Sequence, residues 1–212
     1  MIQVLFIFLR FLATVITRKP VTILILVGCL LSFGFFTAHI ALAETRVKTR
    51  PRTAMQLASQ NLKKGNYDVA IKFATTAIRL NPGYLDAYRT RGIAHARKGE
   101  YPRAIKDFTY VLRRNPKHFS TTYYLRGDCF VAMGLLKMGI KDYTACLKYN
   151  PKDGKVWYYK ARALTLAGKT TEALQTIQSG FATKTHHRGK LEKLRKAILS
   201  GDKIPYHAPC SN

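Results

Sequence analysis

Apolar residues recur at helical spacing along the chain beyond residue 50. In one segment, the apolar positions i, i+1, i+4, i+7 and i+8 are Ala104, Ile105, Phe108, Val111 and Leu112. This spacing places all five on one side of an α-helix, whose other side carries charged and polar residues. The pattern predicts amphipathic helices that each bury one apolar stripe, so we expect an all-α protein.

The helical pattern repeats about every 34 residues, a length typical of stacked repeats. The recurring markers are the Asn-Pro pairs that end at Pro82, Pro116 and Pro151, the glycines Gly65, Gly99, Gly134 and Gly168, and the small residues Gly92, Gly127, Ala104 and Ala173. One additional residue is inserted between Pro116 and Tyr123. Four consecutive units fit the chain, and they span residues 51–84, 85–118, 120–153 and 154–187.

The markers predict how each unit folds. Proline has no backbone N–H and keeps the residue before it out of the helical region, so each Asn-Pro pair ends a helix. Small residues at apolar helical positions allow two helices to approach to about 8–10 Å. These small residues are Gly92, Ala104, Gly127 and Ala173. One helix pair cannot bury its apolar stripe alone, so the four units are expected to stack.

The repeated markers resemble those of the tetratricopeptide repeat (TPR) family. The segments GNYDVAIKFATTAIRLNP, residues 65–82, and GEYPRAIKDFTYVLRRNP, residues 99–116, match its pattern closely. The outer units depart from it: Ala58 and Asn61 replace a preferred Gly and aromatic residue, and Thr185 replaces Pro. The resemblance implies a right-handed α-solenoid in which the first helix of each pair lines a concave groove. It also implies that this groove receives an extended peptide or a partner helix.

The segment after the repeats has its own helical pattern. Residues 188–200 carry apolar residues on one face and basic residues on the others. We expect this helix to cap the last unit, and the alternative is a basic amphipathic helix that lies on an anionic membrane surface. Residues 201–212 contain two prolines and no periodicity, so they are predicted to form a flexible tail.

The first 43 residues are predicted to be a membrane segment. The stretch from Val21 to Ala43 holds 23 residues without a formal charge, and as a helix it would span about 35 Å. We interpret residues 1–43 as an uncleaved signal-anchor, preceding a basic linker at 44–50. Two alternatives remain: a long signal peptide cleaved after Ala43, which leaves a secreted protein, and a lipoprotein acylated at Cys29. The Ala-x-Ala site favours a C-terminal domain translocated into a cell envelope, periplasm or lumen.

The charge of the chain indicates its partner. Its 36 Lys and Arg residues exceed its 11 Asp and Glu residues, which gives a formal net charge of +25. The bases are spread over every unit and form no single run, which favours a general positive field over a dedicated nucleic-acid motif. The predicted partner is an acidic protein. The alternative is a polyanion such as an anionic lipid, an envelope polymer or nucleic acid. Nucleic acid is the least favoured, because no groove-reading helix or stacking platform for single strands is recognisable.

No constellation of catalytic or metal-ligating residues is evident. The chain lacks nucleophile-elbow, phosphate-loop and dinucleotide-binding motifs, and its cysteines lack C-x-x-C spacing. His186 and His187 are adjacent, so they face different sides of a helix. His95 stands at an aromatic position of a repeat and is expected in the core. We therefore predict a non-enzymatic protein without a cofactor or metal.

Counting along the first helix of each unit gives the predicted groove-lining residues. Those predicted to bind the partner are Arg52, Met55, Arg89, Arg97, Tyr124, Lys155, Tyr158 and Arg162, and Ser59, Asp86, Ile93 and Asp128 lie beside them. Basic and aromatic side chains suit an anionic, partly apolar ligand. Some TPR proteins hold an acidic C-terminus with a carboxylate clamp, but Ile93, Leu125 and Tyr159 stand where its Asn and Arg residues would be. We therefore predict a membrane-attached adaptor for an acidic partner, without that clamp.

Overall fold

The computed structural model describes residues 50–183, 187–202 and 204. These residues form nine α-helices and no strand, so the predicted all-α class is confirmed. The predicted membrane segment at 1–43, most of the basic linker and most of the tail lie outside the described residues. Within the described part, every helix is too short or too polar to cross a bilayer.

Four helix pairs follow one another along the chain, and a ninth helix ends the series. The first helices of the pairs are α1 (Pro51–Lys63), α3 (Leu85–Arg97), α5 (Thr121–Ala132) and α7 (Gly154–Leu166). The second helices are α2 (Tyr67–Leu80), α4 (Tyr101–Arg114), α6 (Leu136–Tyr149) and α8 (Thr170–Ala182), and α9 spans Arg188–Ser200. Each helix packs against the next one in sequence, which produces a solenoid of stacked pairs.

The stack has two unlike faces. First helices of successive pairs also contact each other, α1 with α3 and α3 with α5, whereas the second helices make no comparable contact within the described chain. The stack of pairs therefore curves so that the first helices lie on its inner side. We call the inner, concave side the first-helix face and the outer side the second-helix face.

Small residues allow the two helices of a pair to come close. A Cβ atom built on Gly92 would lie 2.7 Å from the Phe108 ring, and one on Gly127 would lie 2.9 Å from the Tyr143 ring. Both rings are completely buried. The space left by a missing side chain on the first helix is thus filled by an aromatic ring from the second helix.

Glycine and proline define where the helices end. Gly99 and Gly134, in the turns inside the second and third pairs, have φ angles of 77° and 75°, which a residue with a side chain rarely adopts. The helices α2, α4 and α6 each stop two residues before Pro82, Pro116 and Pro151. The link from α4 to α5 is longer than the links before α3 and α7, and it holds the inserted residue.

The helix α9 covers the exposed end of the fourth pair. Leu191 and Leu194 are buried in a cluster with Ala161 and Ile177 from that pair. Its remaining faces carry exposed bases such as Lys193. The predicted cap helix is therefore present, and its apolar side completes the core of the solenoid.

Candidate functional site

Aromatic and charged side chains of α5 and α7 meet on the first-helix face. We name this set the groove cluster, and it consists of Tyr124, Asp128, Lys155, Tyr158, Tyr159 and Arg162. The ring centroids of Tyr124 and Tyr159 are 5.6 Å apart, and those of Tyr158 and Tyr159 are 5.3 Å apart in an edge-on arrangement. These tyrosines connect two consecutive first helices through a continuous aromatic surface.

Lys155 provides the accessible positive charge of the groove cluster. Its Nζ lies 4.7 Å from the Tyr124 ring centroid and 5.9 Å from that of Tyr159. Both distances suit a cation–π interaction, which favours a position above the rings. Because Lys155 is exposed, its ammonium group remains open to a ligand while the rings restrain it.

Asp128 lies beneath this surface. It is only 2% exposed, and the Tyr143 hydroxyl donates a 2.6 Å hydrogen bond to its Oδ1. Burial raises the pKa of Asp128 to about 6, against the opposing effect of hydrogen bonds from Tyr143 and Tyr124 and of the charges on Lys155 and Arg162. The floor of the groove cluster therefore carries a carboxyl group that changes its charge close to neutral pH.

Arg162 belongs to the floor of the groove cluster and does not form its open surface. The sequence places it at a groove-lining position, but the structure leaves it only 6% exposed. Its positive charge acts on the buried carboxyl of Asp128. The part of the groove cluster that a ligand can reach consists of Lys155 and the partly exposed tyrosines Tyr124, Tyr158 and Tyr159.

The other predicted binding residues lie on the first two first helices. Arg52 is exposed on α1, and Met55 packs beside the buried Ala54. Arg97 is exposed on α3, where Arg89 is half-buried. Burial lowers the pKa of Arg89, and the nearby Asp86 opposes this effect. These four residues lie on α1 and α3, whereas the groove cluster is formed by residues of α5 and α7.

Two tyrosines contribute to the site although the predicted set omits them. Tyr159 packs against Tyr124 and Tyr158, and Tyr143 reaches Asp128 from α6, a second helix. Tyr143 occupies the position that Phe108 has in the previous pair, so the sequence shows only an aromatic core residue there. The hydroxyl of Tyr143 binds Asp128, whereas the position corresponding to Asp128 in the previous pair is the apolar Ile93.

The remaining chemically distinctive side chains have structural partners. His95 is buried as expected, and its Nδ1 lies 2.7 Å from Oε2 of Glu100. Hydrogen bonds from His95 and Lys98 lower the pKa of Glu100 to about 2. Burial raises the pKa of the Cys146 thiol to about 11, which keeps it protonated and unreactive. No group of three metal-ligating side chains occurs among the described residues.

Comparison with known families agrees with this architecture. Models described as tetratricopeptide repeats match residues 55–119, 120–153 and 142–175, which together cover more than half of the chain. The chain belongs to the tetratricopeptide repeat family. TPR proteins generally serve as non-enzymatic scaffolds that bind other proteins. No curated protein matches the chain.

Solved TPR structures share the fold at low sequence identity. A crystal structure of MamA aligns with a TM-score of 0.63 and 19% identity over 72% of this chain and 91% of that one. A chain of the APC/C hetero-tetramer Cut9–Hcn1 aligns with a TM-score of 0.63 and 17% identity over 71% of this chain and 30% of that one. TTC0263, a thermophilic TPR protein of Thermus thermophilus, aligns with a TM-score of 0.57 and 15% identity over 71% of this chain and 82% of that one. At these identities the likeness shows the TPR fold alone.

Proposed function

We propose that this TPR protein is a non-enzymatic adaptor that binds an extended acidic segment of a partner protein at the groove cluster. The observation that carries the proposal is the exposed Lys155 ammonium held above Tyr124 and Tyr159 on the first-helix face. A cation next to rigid aromatic surface suits a carboxylate flanked by apolar side chains.

The charge of the whole chain supports an acidic ligand. With a net charge of +25, the protein attracts anionic segments and repels basic ones before any contact forms. The groove cluster adds the short-range selectivity that such a general field lacks. Tyrosine supplies contact area at a small cost in side-chain entropy, which is why it is enriched at binding surfaces.

Binding of paired peptides to the full chain tests the proposal. One labelled peptide alternates Glu with Leu, and its control replaces every Glu by Gln. We expect the Glu peptide to bind at least about ten-fold more tightly, as expected for a charge-assisted contact. Lys155→Glu should weaken binding of the Glu peptide by a similar factor or more, because it replaces attraction by repulsion at the centre of the site.

Lys137→Glu is the matched control for charge. Lys137 is exposed on α6, a second helix, so this variant makes the same change of charge away from the groove cluster. We expect it to alter the dissociation constant less than about three-fold, as for a screened, distant charge. Equal losses in Lys137→Glu and Lys155→Glu would favour a general polyanion-binding field over a groove-specific site.

We also propose that residues 1–43 attach the protein to a membrane and that its repeats lie in a cell envelope, periplasm or lumen. The support is the uncharged stretch from Val21 to Ala43, which is long enough to span a bilayer. Intact-mass measurement of the membrane-extracted protein from its own cells is expected to show an uncleaved N-terminus. A species that begins at Glu44, or at an acylated Cys29, would contradict the anchor.

A further inference from the structure

A three-residue contact recurs between successive pairs on the second-helix face. In the second pair, Arg91 on the first helix binds Asp107 on the second helix through two hydrogen bonds of 2.8 Å. Its Nη1 also lies 3.3 Å from Oγ1 of Thr75, which belongs to the second helix of the preceding pair. The arginine thus connects three helices and is neutralised by an internal carboxylate.

The third pair repeats this arrangement. Arg126 binds Asp142 through hydrogen bonds of 2.7 and 2.8 Å, and its Nη1 donates to Oγ1 of Thr109 at 3.0 Å. Both aspartates are almost completely buried, with side chains only 6% exposed. Each of these two pairs therefore contains its own buried carboxylate opposite the cation of its first helix.

The fourth pair keeps the cation but lacks the carboxylate. Lys160 stands where Arg91 and Arg126 stand in the earlier pairs, and Thr176 stands where their aspartates are. Thr144, the counterpart of the earlier threonines, is retained on α6. The substitution of Thr for Asp removes the negative charge that the preceding pairs supply internally.

Lys160 has no ion-pair partner within the described chain. It is half-buried, and the contact of its Nζ is with the Trp157 ring, at 5.7 Å from the centroid. Glu172 acts on it electrostatically but binds Lys169 at 2.7 Å. Burial lowers the pKa of Lys160, and Glu172 opposes that effect. A half-buried ammonium group therefore lacks the direct acceptor that its counterparts have.

A cavity of about 370 Å³ adjoins Lys160 on the second-helix face. Thr144, Gln175, Thr176 and Ser179 contribute neutral polar groups to its lining, and Ile140, Trp157 and Leu164 contribute apolar surface. The carboxylate of Glu172 also borders the cavity, where Lys169 binds it at 2.7 Å. Its volume falls at the lower end of the range for small-molecule sites, about 300–1,000 Å³. It has room for a carboxylate and a short apolar group attached to it.

We propose that this cavity binds a carboxylate supplied from outside the chain, in the place that Asp107 and Asp142 hold in the preceding pairs. The ligand is a carboxylate on a small apolar group, either a free organic acid or a Glu or Asp side chain of a peptide. Lys160 binds the carboxylate, and Trp157 packs against the apolar group. This second site goes beyond the proposed function, because it lies on the second-helix face and does not use the groove cluster.

Fluorescence of Trp157 measures binding directly, because Trp157 lines the cavity and is the only tryptophan of the protein. The full chain is titrated with 3-phenylpropionate and with its neutral amide, and separately with the blocked tripeptides Leu-Glu-Leu and Leu-Gln-Leu. We expect a saturable change with at least one carboxylate probe, which binds at least about ten-fold more tightly than its amide counterpart. Binding of phenylpropionate identifies a free acid as sufficient, and binding of Leu-Glu-Leu alone identifies a peptide side chain.

Two variants test the role of Lys160. Lys160→Gln removes the cation, and the double variant Lys160→Arg with Thr176→Asp recreates the ion pair of the earlier pairs inside the cavity. Both should lose at least about ten-fold in affinity for the carboxylate probe. The double variant should melt no lower than the wild type, which separates loss of binding from loss of folding.

The groove variant Lys155→Gln should leave binding of the probe in the cavity unchanged, because Lys155 does not line the cavity. The proposal for the cavity and the proposal for the groove cluster are therefore tested separately. Three results would overturn the proposal: no saturable change with either carboxylate probe, equal binding of the amides, or wild-type affinity in the double variant. Loss of cavity binding in Lys155→Gln would also overturn it, because the probe would then report the groove cluster.

Discussion

Asp128 connects the stability of the fold with the surface proposed to bind the partner. Its carboxyl group is buried, receives a hydrogen bond from Tyr143 and lies near the cations Lys155 and Arg162. The energetic cost of burying a charge exceeds the help that these partners give, so the folded protein binds the proton of Asp128 more tightly than the unfolded chain does. The same residue that supports the tyrosines therefore makes the free energy of unfolding depend on pH.

Asp128→Asn should remove this pH dependence. In the folded protein the pKa of Asp128 is about 6, against an ordinary value of 3.8, so between these values the folded state holds a proton that the unfolded state has lost. The free energy of unfolding of the wild type then falls as pH rises from about 4 to about 6, by up to roughly 3 kcal/mol from this residue. Asparagine does not titrate, so the variant gains stability relative to the wild type over this range.

Urea unfolding of both proteins at several pH values between 4 and 7 measures the effect of Asp128 as a difference. The other carboxyl groups are common to both proteins, so their contributions cancel in this difference. One of them is Glu100, whose pKa is lowered to about 2. It stabilises the folded state above the ordinary pKa of a glutamate, and this contribution is lost only as the pH falls towards 2. Parallel curves for the wild type and Asp128→Asn, or a relative gain by the wild type as pH rises, would contradict the assignment.

At the scale of the helix pair, close packing depends on glycine opposite an aromatic ring. Gly127 on α5 faces Tyr143 on α6, and the backbone oxygen of Gly139 lies 3.2 Å from where a Cβ on Gly127 would be. A methyl group at this position meets both a buried ring and the main chain. Neither can move without disturbing the contact between the two helices.

Gly127→Ala should therefore destabilise the protein, by about 1–3 kcal/mol, as is usual when a well-packed core is overfilled. Gly189→Ala is the matched control, because Gly189 lies in helix α9 and a Cβ built on it would meet no group from outside its own helix turn within 4 Å. The control should gain up to about 1 kcal/mol from the better helix propensity of alanine. Urea unfolding measures both, and shifts of the same sign in the two variants would show that packing at Gly127 does not limit stability.

At the scale of the whole molecule, the fold could be predicted from the sequence because its markers act locally and repeat. Each Asn-Pro pair ends a helix through backbone chemistry alone, and each small residue marks a contact between helices wherever the unit is placed. Four stacked pairs follow from these rules, and the structure confirms the all-α solenoid.

The groove cluster was predictable only in part. Helical counting places Tyr124, Lys155 and Arg162 on first helices, but it does not show how deeply each side chain lies. Arg162 is buried in the structure, and Asp128 is bound by Tyr143 from another helix. No repeat spacing encodes such contacts between side chains. The incomplete ion pair of the fourth repeat was likewise not predictable, because only the structure shows that Arg91 binds Asp107 and that Arg126 binds Asp142.

Binding of an acidic segment at the groove cluster on α5 and α7 is the central proposal for this protein. Its most direct test is photo-crosslinking of the full chain to a Glu-rich peptide that carries a photoreactive phenylalanine at its centre, with the attachment sites mapped by mass spectrometry. We expect crosslinks at Tyr124, Lys155 and Tyr158, which Lys155→Glu abolishes and Lys137→Glu preserves. Crosslinks spread evenly over the four pairs, or concentrated on second helices, would contradict it.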